Sequence, residues 1–565
     1  MAAQATKSIA CFLPDYPPLP HTAAIALGSN LGDRFANIEH ALRLLENPLH
    51  LLGSSSILGR DPQIVIVDTS FLYETAPMYV TDQPSFINCA CMIQTTVEVG
   101  TLLVLLKKIE VIVGRVPSIR NGPRAVDLDI LLFDQEVIDT RPTDSKKDLD
   151  DLVGELIVPH PRMQEREFVL RPLNDMIPDA IHPQIKEPIK ALLQRLTEAR
   201  PKDEPPMRKV IPFPRYPHAP ASTEAIPGFA QPVPLTATHW TFPSSSSDRQ
   251  TAPRKTYIMA TLNATPDSFS DGSEHNTIPT AVSYANSSVA LGADIIDVGG
   301  YSTRPGAAFV SEEEEINRVV PVIQVIRGAN SSAEVNPKTK EALISVDTFR
   351  WKVAEEAVLA GANCINDVYS FTGPEYPPAQ ASADHLITMR RVARDLAVPV
   401  VLMHSRGHAG SNKDYDSYAN AVDSPVLEGI RVELGDKVNA IVKGRNGLRR
   451  WFVLVDPGVG FSKSLEDNLE LLRHASLITE PTHAHNPLAG YPQLIGTSRK
   501  SFLGVVLASP SVDGTYEGRQ TEGRDRVWAT AAAISCAVQQ KATVIRVHDV
   551  QEMGDVVRVA SALWG

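Results

Sequence analysis

Two aspartates, Asp127 and Asp129, stand two positions apart in the run AVDLDILLF (125–133). The alternation predicts a strand with both carboxylates on one face. Adjacent carboxylates repel each other unless a cation lies between them. Hard oxygens at this spacing suit Mg2+, which commonly carries nucleotide phosphates. The competing reading is the solvated face of an edge strand.

A second constellation lies in 255–565. Eight apolar runs there end in polar residues: Asn263, Asp297, Asp347, Asn366 with Asp367, His404, Asp456, Ser498, and Arg546 with His548. Asp and Asn at such places also cap helices. Capping accounts for some of them, but not for Arg546 and His548, which alternate on one strand face, nor for Lys500.

The elements that must position these groups follow from the same runs. YIMATLNAT, ADIIDVGG, ALISVDT, NCINDVYS, VPVVLMH, FVLVDPG, QLIGTS and ATVIRVHD alternate with helix-like spacing, as in 312–327, 350–360 and 524–540. Eight such units predict a TIM-type (β/α)8 barrel, whose C-terminal strand ends share one basin; a doubly wound sheet is the alternative. The run Glu312–Glu315 is expected as a helix N-terminal turn rather than a metal site. Residues 21–200 mix strand and helix patterns, which predicts a separate α+β domain. Between them, 201–254 holds many prolines and ends near a serine run, so it is expected to be a linker. Residues 1–20 are expected to be a flexible N-terminal tail.

A chain of 565 residues should form at least two domains, and 43% hydrophobic content can supply their cores. The net charge of −12 argues against a nucleic-acid binder. No run approaches the roughly 18 apolar residues of a membrane span. Five cysteines, with no CxxC pair and no secretory signal, point to a reducing compartment, cytoplasmic or mitochondrial. There is no Walker A motif, so nucleotide phosphates are not held by a P-loop.

The motifs NATPDSFSDG (263–272), DVGGYSTRPGA (297–307), SVDT (345–348), IND (365–367), DPGVGFSK (456–463), GTSRKSFLG (496–504) and RVHD (546–549) resemble dihydropteroate synthases. That family joins 4-aminobenzoate to 6-hydroxymethyl-7,8-dihydropterin diphosphate. The resemblance implies that Asp347, Asn366, Asp456 and Lys500 hold the pterin. Asn263, Arg546 and His548 would hold the diphosphate, with Asn263 also the ligand of one Mg2+. Phe269, Thr303, Arg304, Pro305, Ser498 and Ser501 would border the aminobenzoate, partly on mobile lids.

ALGSNLGDR (26–34), ETAP with DQPSFINC (74–89), GPRAVDLDILLF (122–133) and VPHPRM with REFVLRPL (158–173) resemble 6-hydroxymethyl-dihydropterin pyrophosphokinases. The resemblance implies a ferredoxin-like α/β sandwich that transfers diphosphate from ATP to the pterin alcohol and releases AMP. Asp127 and Asp129 would ligate two Mg2+. Arg115 and Arg124 would handle phosphate, and His160, Arg120, Arg124 and Arg166 would meet ATP. Phe86, Asn88 and Phe168 would form the pterin site. Asn121 stands where an aromatic often sits in bacterial members.

Together the resemblances imply a bifunctional transferase, with a homodimer through the barrel as a possibility. The alternatives are one active head with the other a scaffold, or a non-catalytic pterin-binding module.

Overall fold

In the computed structural model, the described residues are 8–53, 61–116, 119, 121–142, 155–201, 205–217, 226–243, 254–264, 278–302, 308–329, 334–481 and 486–564. Strands β1 (His21–Ser29), β2 (Ile64–Thr69), β3 (Leu72–Thr75), β4 (Phe86–Thr95) and β5 (Asp127–Phe133) form an antiparallel sheet. A short pair, β6 (Ile138–Asp139) and β7 (Ile157–Val158), lies apart from it. The sheet is covered on both faces because its side chains alternate between two cores. Ala23, Ile25 and Leu27 of β1 join one core with helices Arg34–Leu45 and Val99–Val113. Ala24 joins another with helices Glu167–Met176 and Ile189–Ala199.

The stretch expected as a linker departs from that reading. It contains β8 (Arg208–Pro214) and β9 (Thr236–Pro243), which extend the sheet in the order β5-β1-β4-β3-β8-β9. Prolines are tolerated because β3 pairs only with Arg208, Lys209 and Val210. Pro212 and Pro214 lie past the end of β3, where no second neighbour needs their missing N–H.

The second domain is the expected barrel. Its strands are β10 (Tyr257–Asn263), β11 (Ile295–Gly299), β12 (Leu343–Asp347), β13 (Cys364–Asp367), β14 (Val400–Met403), β15 (Val453–Asp456), β16 (Leu494–Ile495) and β17 (Val544–Val547). All neighbours are parallel, and the β15–β16 seam is closed by a bridge between Val455 and Gln493. Glu312 opens the helix Glu312–Ile326, whose N-cap Ser311 accepts from Glu314 N, as expected for that acidic run.

The hairpin β8–β9 also closes the N-terminal end of the barrel. Ile211, Phe213 and Trp240 pack on Tyr257, Ile295, Leu343, Cys364, Val401, Leu454, Leu494 and Val544, from the opening of each of the eight strands. Trp240 stacks on Tyr257 with centroids 4.1 Å apart. Burying side chains of this size is worth about 1.5–3 kcal/mol each.

Charged contacts fix the remaining seam. Arg449, after the helix Pro425–Val442, donates to Glu46 Oε2 at 2.8 Å and Glu39 Oε2 at 3.3 Å. Arg450 donates to both oxygens of Asp68, at 2.7 and 2.8 Å. Residues 8–20 are not a free tail either. Ile9 has no exposed surface, Ile9 N donates to Asp436 Oδ2 at 2.8 Å, and Ser8 Oγ also donates to Asp436. The N-terminal segment thus reaches across to the barrel helix that carries Asp436.

Candidate active sites

The first site opens above β1, β4 and β5. Register places Gly28 between Asp127 on β5 and Asn88 on β4. A Cβ on Gly28 would lie 2.8 Å from Asn88 Oδ1, so glycine keeps this floor open. Asn88 Nδ2 donates to Thr75 Oγ1 at 2.7 Å, which fixes its amide. Phe86, Asn88, Arg124, Asp127, Asp129, His160, Arg166 and Phe168 line one cleft. Arg120 lies outside the described residues.

Asp127 is held by two guanidinium groups. Arg115 Nη1 donates to its Oδ1 at 2.6 Å, and Arg124 Nη1 to its Oδ2 at 2.7 Å. Glu110, which sequence reasoning missed, accepts from Leu128 N at 2.8 Å and pairs with Arg115 at 2.7 Å, tying that arginine to β5. Burial opposes ionisation of Asp129, but His160, Lys107, Arg166 and Arg115 outweigh it and hold its carboxyl below the usual range. Burial lowers His160 in turn, against the pull of Asp129. Arg166 sits over the rings of Tyr79 and Phe168, at 5.6 and 5.8 Å. Among the described residues no three His, Cys, Asp or Glu converge as a metal cage. Asp127 and Asp129 fit a hard ion whose other ligands are phosphate and water oxygens.

The second site is the basin at the C-terminal strand ends of the barrel. Asn263, Asp347, Asn366, Asp456, Ser498, Lys500, Ser501, Arg546 and His548 all line it. They come from five strands, two following loops and the first residue of the helix Ser501–Ala508, which is why they are scattered in sequence. Phe269, Thr303, Arg304 and Pro305 lie outside the described residues.

Arg546 organises the basin. Its Nε donates to Asp297 Oδ2 at 2.6 Å and its Nη2 to Asp347 Oδ2 at 2.7 Å. Asn366 Nδ2 reaches the same Asp297 oxygen at 3.1 Å. Asp297 was legible as a polar strand end, but its partners were not. Burial pushes the Asp347 carboxyl up, and Arg546 opposes that. Asp456 is pushed up to about 6 by burial, against Gly458 N–H, Lys500, Lys463 and Arg546. Lys500 Nζ lies 4.3 Å from the ring centre of Phe461, a wall residue that sequence reasoning left without a role. Ser498, expected near the aminobenzoate, lies with Oγ 3.0 Å from His548 Nδ1, at the expected diphosphate end.

An antiparallel domain with a paired-aspartate cleft, joined to a barrel with a polar basin, defines a two-domain class with one polar cleft in each domain. Residues 24–178 match the 7,8-dihydro-6-hydroxymethylpterin-pyrophosphokinase family, and residues 259–548 match the pterin binding enzyme family. A folate synthesis bifunctional protein of Arabidopsis thaliana is 34% identical over 545 residues, covering 95% of each chain. The folic acid synthesis protein fol1 of Pneumocystis carinii is 34% identical over 543 residues; the match covers 96% of this chain and 59% of that relative. The chain likewise spans 59% of the Schizosaccharomyces pombe fol1 protein. A crystal structure of HPPK-DHPS in complex with substrates shares the fold, with a TM-score of 0.66 at 20% identity, covering 97% of this chain and all of that one. The chain belongs to the family of bifunctional folate-synthesis proteins. Among the described residues no helix is long and apolar enough to cross a membrane.

Proposed function

We propose that the chain makes 7,8-dihydropteroate in two steps. The first head transfers diphosphate from ATP to 6-hydroxymethyl-7,8-dihydropterin and releases AMP. The second joins the resulting pterin diphosphate to 4-aminobenzoate and releases diphosphate. The observation that carries this reading is that Asn88, Asp127, Asp129 and His160 share one cleft, while Asp347, Asn366, Asp456, Lys500 and Arg546 share another.

In the first head the pterin lies between Phe86 and Phe168, with Asn88 on its edge. Arg115 and Arg124 neutralise transferring phosphoryl oxygens, and His160 and Arg166 hold the nucleotide. Phosphoryl transfer is largely positioning and charge neutralisation, so no nucleophilic side chain is needed. Two Mg2+ held by Asp127 and Asp129 would supply the remaining positive charge when bound.

In the second head Asp456 accepts the pterin ring N–H and exocyclic amine, Asn366 and Asp347 complete the edge, and Lys500 meets the carbonyl side. Arg546 and His548, with Ser498 beside them, receive the diphosphate as its bond to the pterin CH2 breaks. Asn263 fits as a single oxygen ligand for Mg2+ accompanying the diphosphate. The aniline nitrogen then bonds to that carbon and loses a proton, with the Ser501 hydroxyl near the aminobenzoate carboxylate. Preorganised charge at the leaving group is the main catalytic contribution.

Five free cysteines fit a reducing compartment, cytosol or mitochondrion. Exposed Val505, Val506, Trp528, Leu563 and Trp564 on the last three barrel helices support a homodimer through this domain, which light scattering would test. The decisive assay supplies hydroxymethyl-dihydropterin, ATP, Mg2+ and 4-aminobenzoate and follows AMP and dihydropteroate separately. Both products are expected; absence of either removes the corresponding head from the proposal.

A further inference from the structure

Behind the wall of the second basin lies a buried chain of charges with no role in the steps above. Arg406 Nε and Nη2 donate to Glu433 Oε2 and Oε1, at 2.9 and 2.6 Å. Glu433 Oε2 lies 3.1 Å from His404 Nε2, so this nitrogen carries the proton and Nδ1 is left as an acceptor. Lys463 Nζ is 3.2 Å from that Nδ1. Its other two contacts are Gly458 O and Phe461 O, both at 3.0 Å. Three acceptors therefore match the three N–H donors of an ammonium. Lys463 is 3% exposed and His404 is 1% exposed.

The carbonyls that Lys463 ties down are the two ends of one loop. Between them Val459 and Gly460, with Phe461 itself, line the basin, whereas Lys463 does not. At its start, Gly458 N donates to Asp456 Oδ1 at 2.7 Å. Gly458 has φ +72°, and a Cβ there would lie 2.1 Å from His404 O, so the loop is pressed onto the residue that follows β14. A buried ammonium is expensive, and an apolar side chain of similar length would fill the space without that cost. A lysine placed here has work that packing alone does not require.

We propose that Lys463 is a positioning residue for pterin capture: held by His404, it pins the Gly458–Phe461 loop and sets a positive charge behind Asp456. This rests on reading the second basin as the pterin diphosphate site. The charges facing Asp456 are Lys500 on the loop after β16, Arg546 on β17 and Lys463 itself. Those facing Lys463 are Asp456 on β15, Glu433 on its helix, Arg406 after β14 and Asp467 on the helix Leu465–His474. Burial pulls Lys463 down to about 7, with Asp456 the largest opposing charge. Burial and Lys463 together pull His404 down to about 3, so it stays a neutral acceptor.

The test is calorimetric titration of the full chain with 6-hydroxymethylpterin diphosphate between pH 5 and 8, using a Gly28→Val background to close the first cleft. Lys463→Met is expected to weaken binding roughly 10- to 100-fold, as for loss of charge-assisted bonds. It should also move the acid limb of binding upward by roughly one pH unit. Lys463→Gln keeps donors without charge and should shift the limb alike, which covers a Met variant that fails to fold. Lys463→Arg keeps the charge and donors and should leave the acid limb where it lies in the background, a rescue that a packing role alone would not give. Binding by both Lys463→Met and Lys463→Gln within about threefold of the background and with an unmoved acid limb overturns the proposal. So does an acid limb that moves equally in Lys463→Arg, which would make the cluster a packing unit only. Binding without dihydropteroate on adding 4-aminobenzoate overturns the activity reading and leaves the Lys463 comparison standing. A background chain that binds no pterin diphosphate overturns both.

Discussion

Arg546 Nε lies 2.6 Å from Oδ2 of Asp297, a carboxylate on β11 with no exposed surface. Asp297 does not line the basin, yet it fixes Arg546 and Asn366, which do. Asp297→Asn keeps the shape and removes the charge. It should cost the second head about 2–4 kcal/mol in kcat/KM, a tens- to hundreds-fold loss. Steady-state dihydropteroate formation from supplied pterin diphosphate measures this, and AMP release should be unchanged. An unchanged synthase rate would mean that Arg546 is oriented by Asp347 alone.

The two clefts should fail separately. Asp127→Asn removes the carboxylate gripped by Arg115 and Arg124, and AMP release should fall by about three orders of magnitude. Synthesis from supplied pterin diphosphate should persist. Lys500→Ala should do the reverse. Loss of both activities in a well-folded variant would contradict the division of labour.

Acid should disable pterin capture in the second head at an unusually high pH. Burial pushes Asp456 up to about 6, and only its ionised form accepts both pterin hydrogens. The contribution of Asp456 to affinity is therefore full above that value and lost as pH falls through it. The KM for pterin diphosphate, measured from pH 5 to 8, should rise on the acid side. A limb near the ordinary carboxylate value would show that Asp456 is not desolvated in solution.

The seam between the domains should matter for stability. Arg449→Met leaves Glu39 and Glu46 buried with only Arg43 and Arg394 as partners. Each carboxylate keeps one partner, so the cost should be that of the lost charge-assisted bonds, about 1.5–3 kcal/mol. Chemical denaturation followed by tryptophan fluorescence would read the loss. A shift below about 1 kcal/mol would mean that water reaches this seam.

The barrel was legible because each buried strand is an apolar run with a polar residue at or near its C-terminal end. Asp127 and Asp129 were legible for a similar reason, since a period of two is local. What was hidden depends on distant partners. Nothing near Asp297 announces Arg546, and nothing near Glu110 announces the Leu128 N–H on β5 that it accepts from. The hairpin was hidden by its composition: Pro212 and Pro214 argue against a central strand, and only the early end of β3 makes them harmless. The docked N-terminal segment was hidden because a few scattered residues, Ser8, Ile9 and Phe12, carry its contacts to the barrel.

The hairpin β8–β9 serves two masters, since it extends the sheet of one domain and stoppers the barrel of the other. Cutting the chain anywhere between residues 200 and 255 would either bare the edge of β3 or uncork eight apolar strand openings. Neither fragment would inherit a finished surface, and an unpaired edge or an open apolar floor invites aggregation. In physical terms the two heads are one folding inheritance, and splitting them into separate polypeptides requires a new stopper, a new edge, or both.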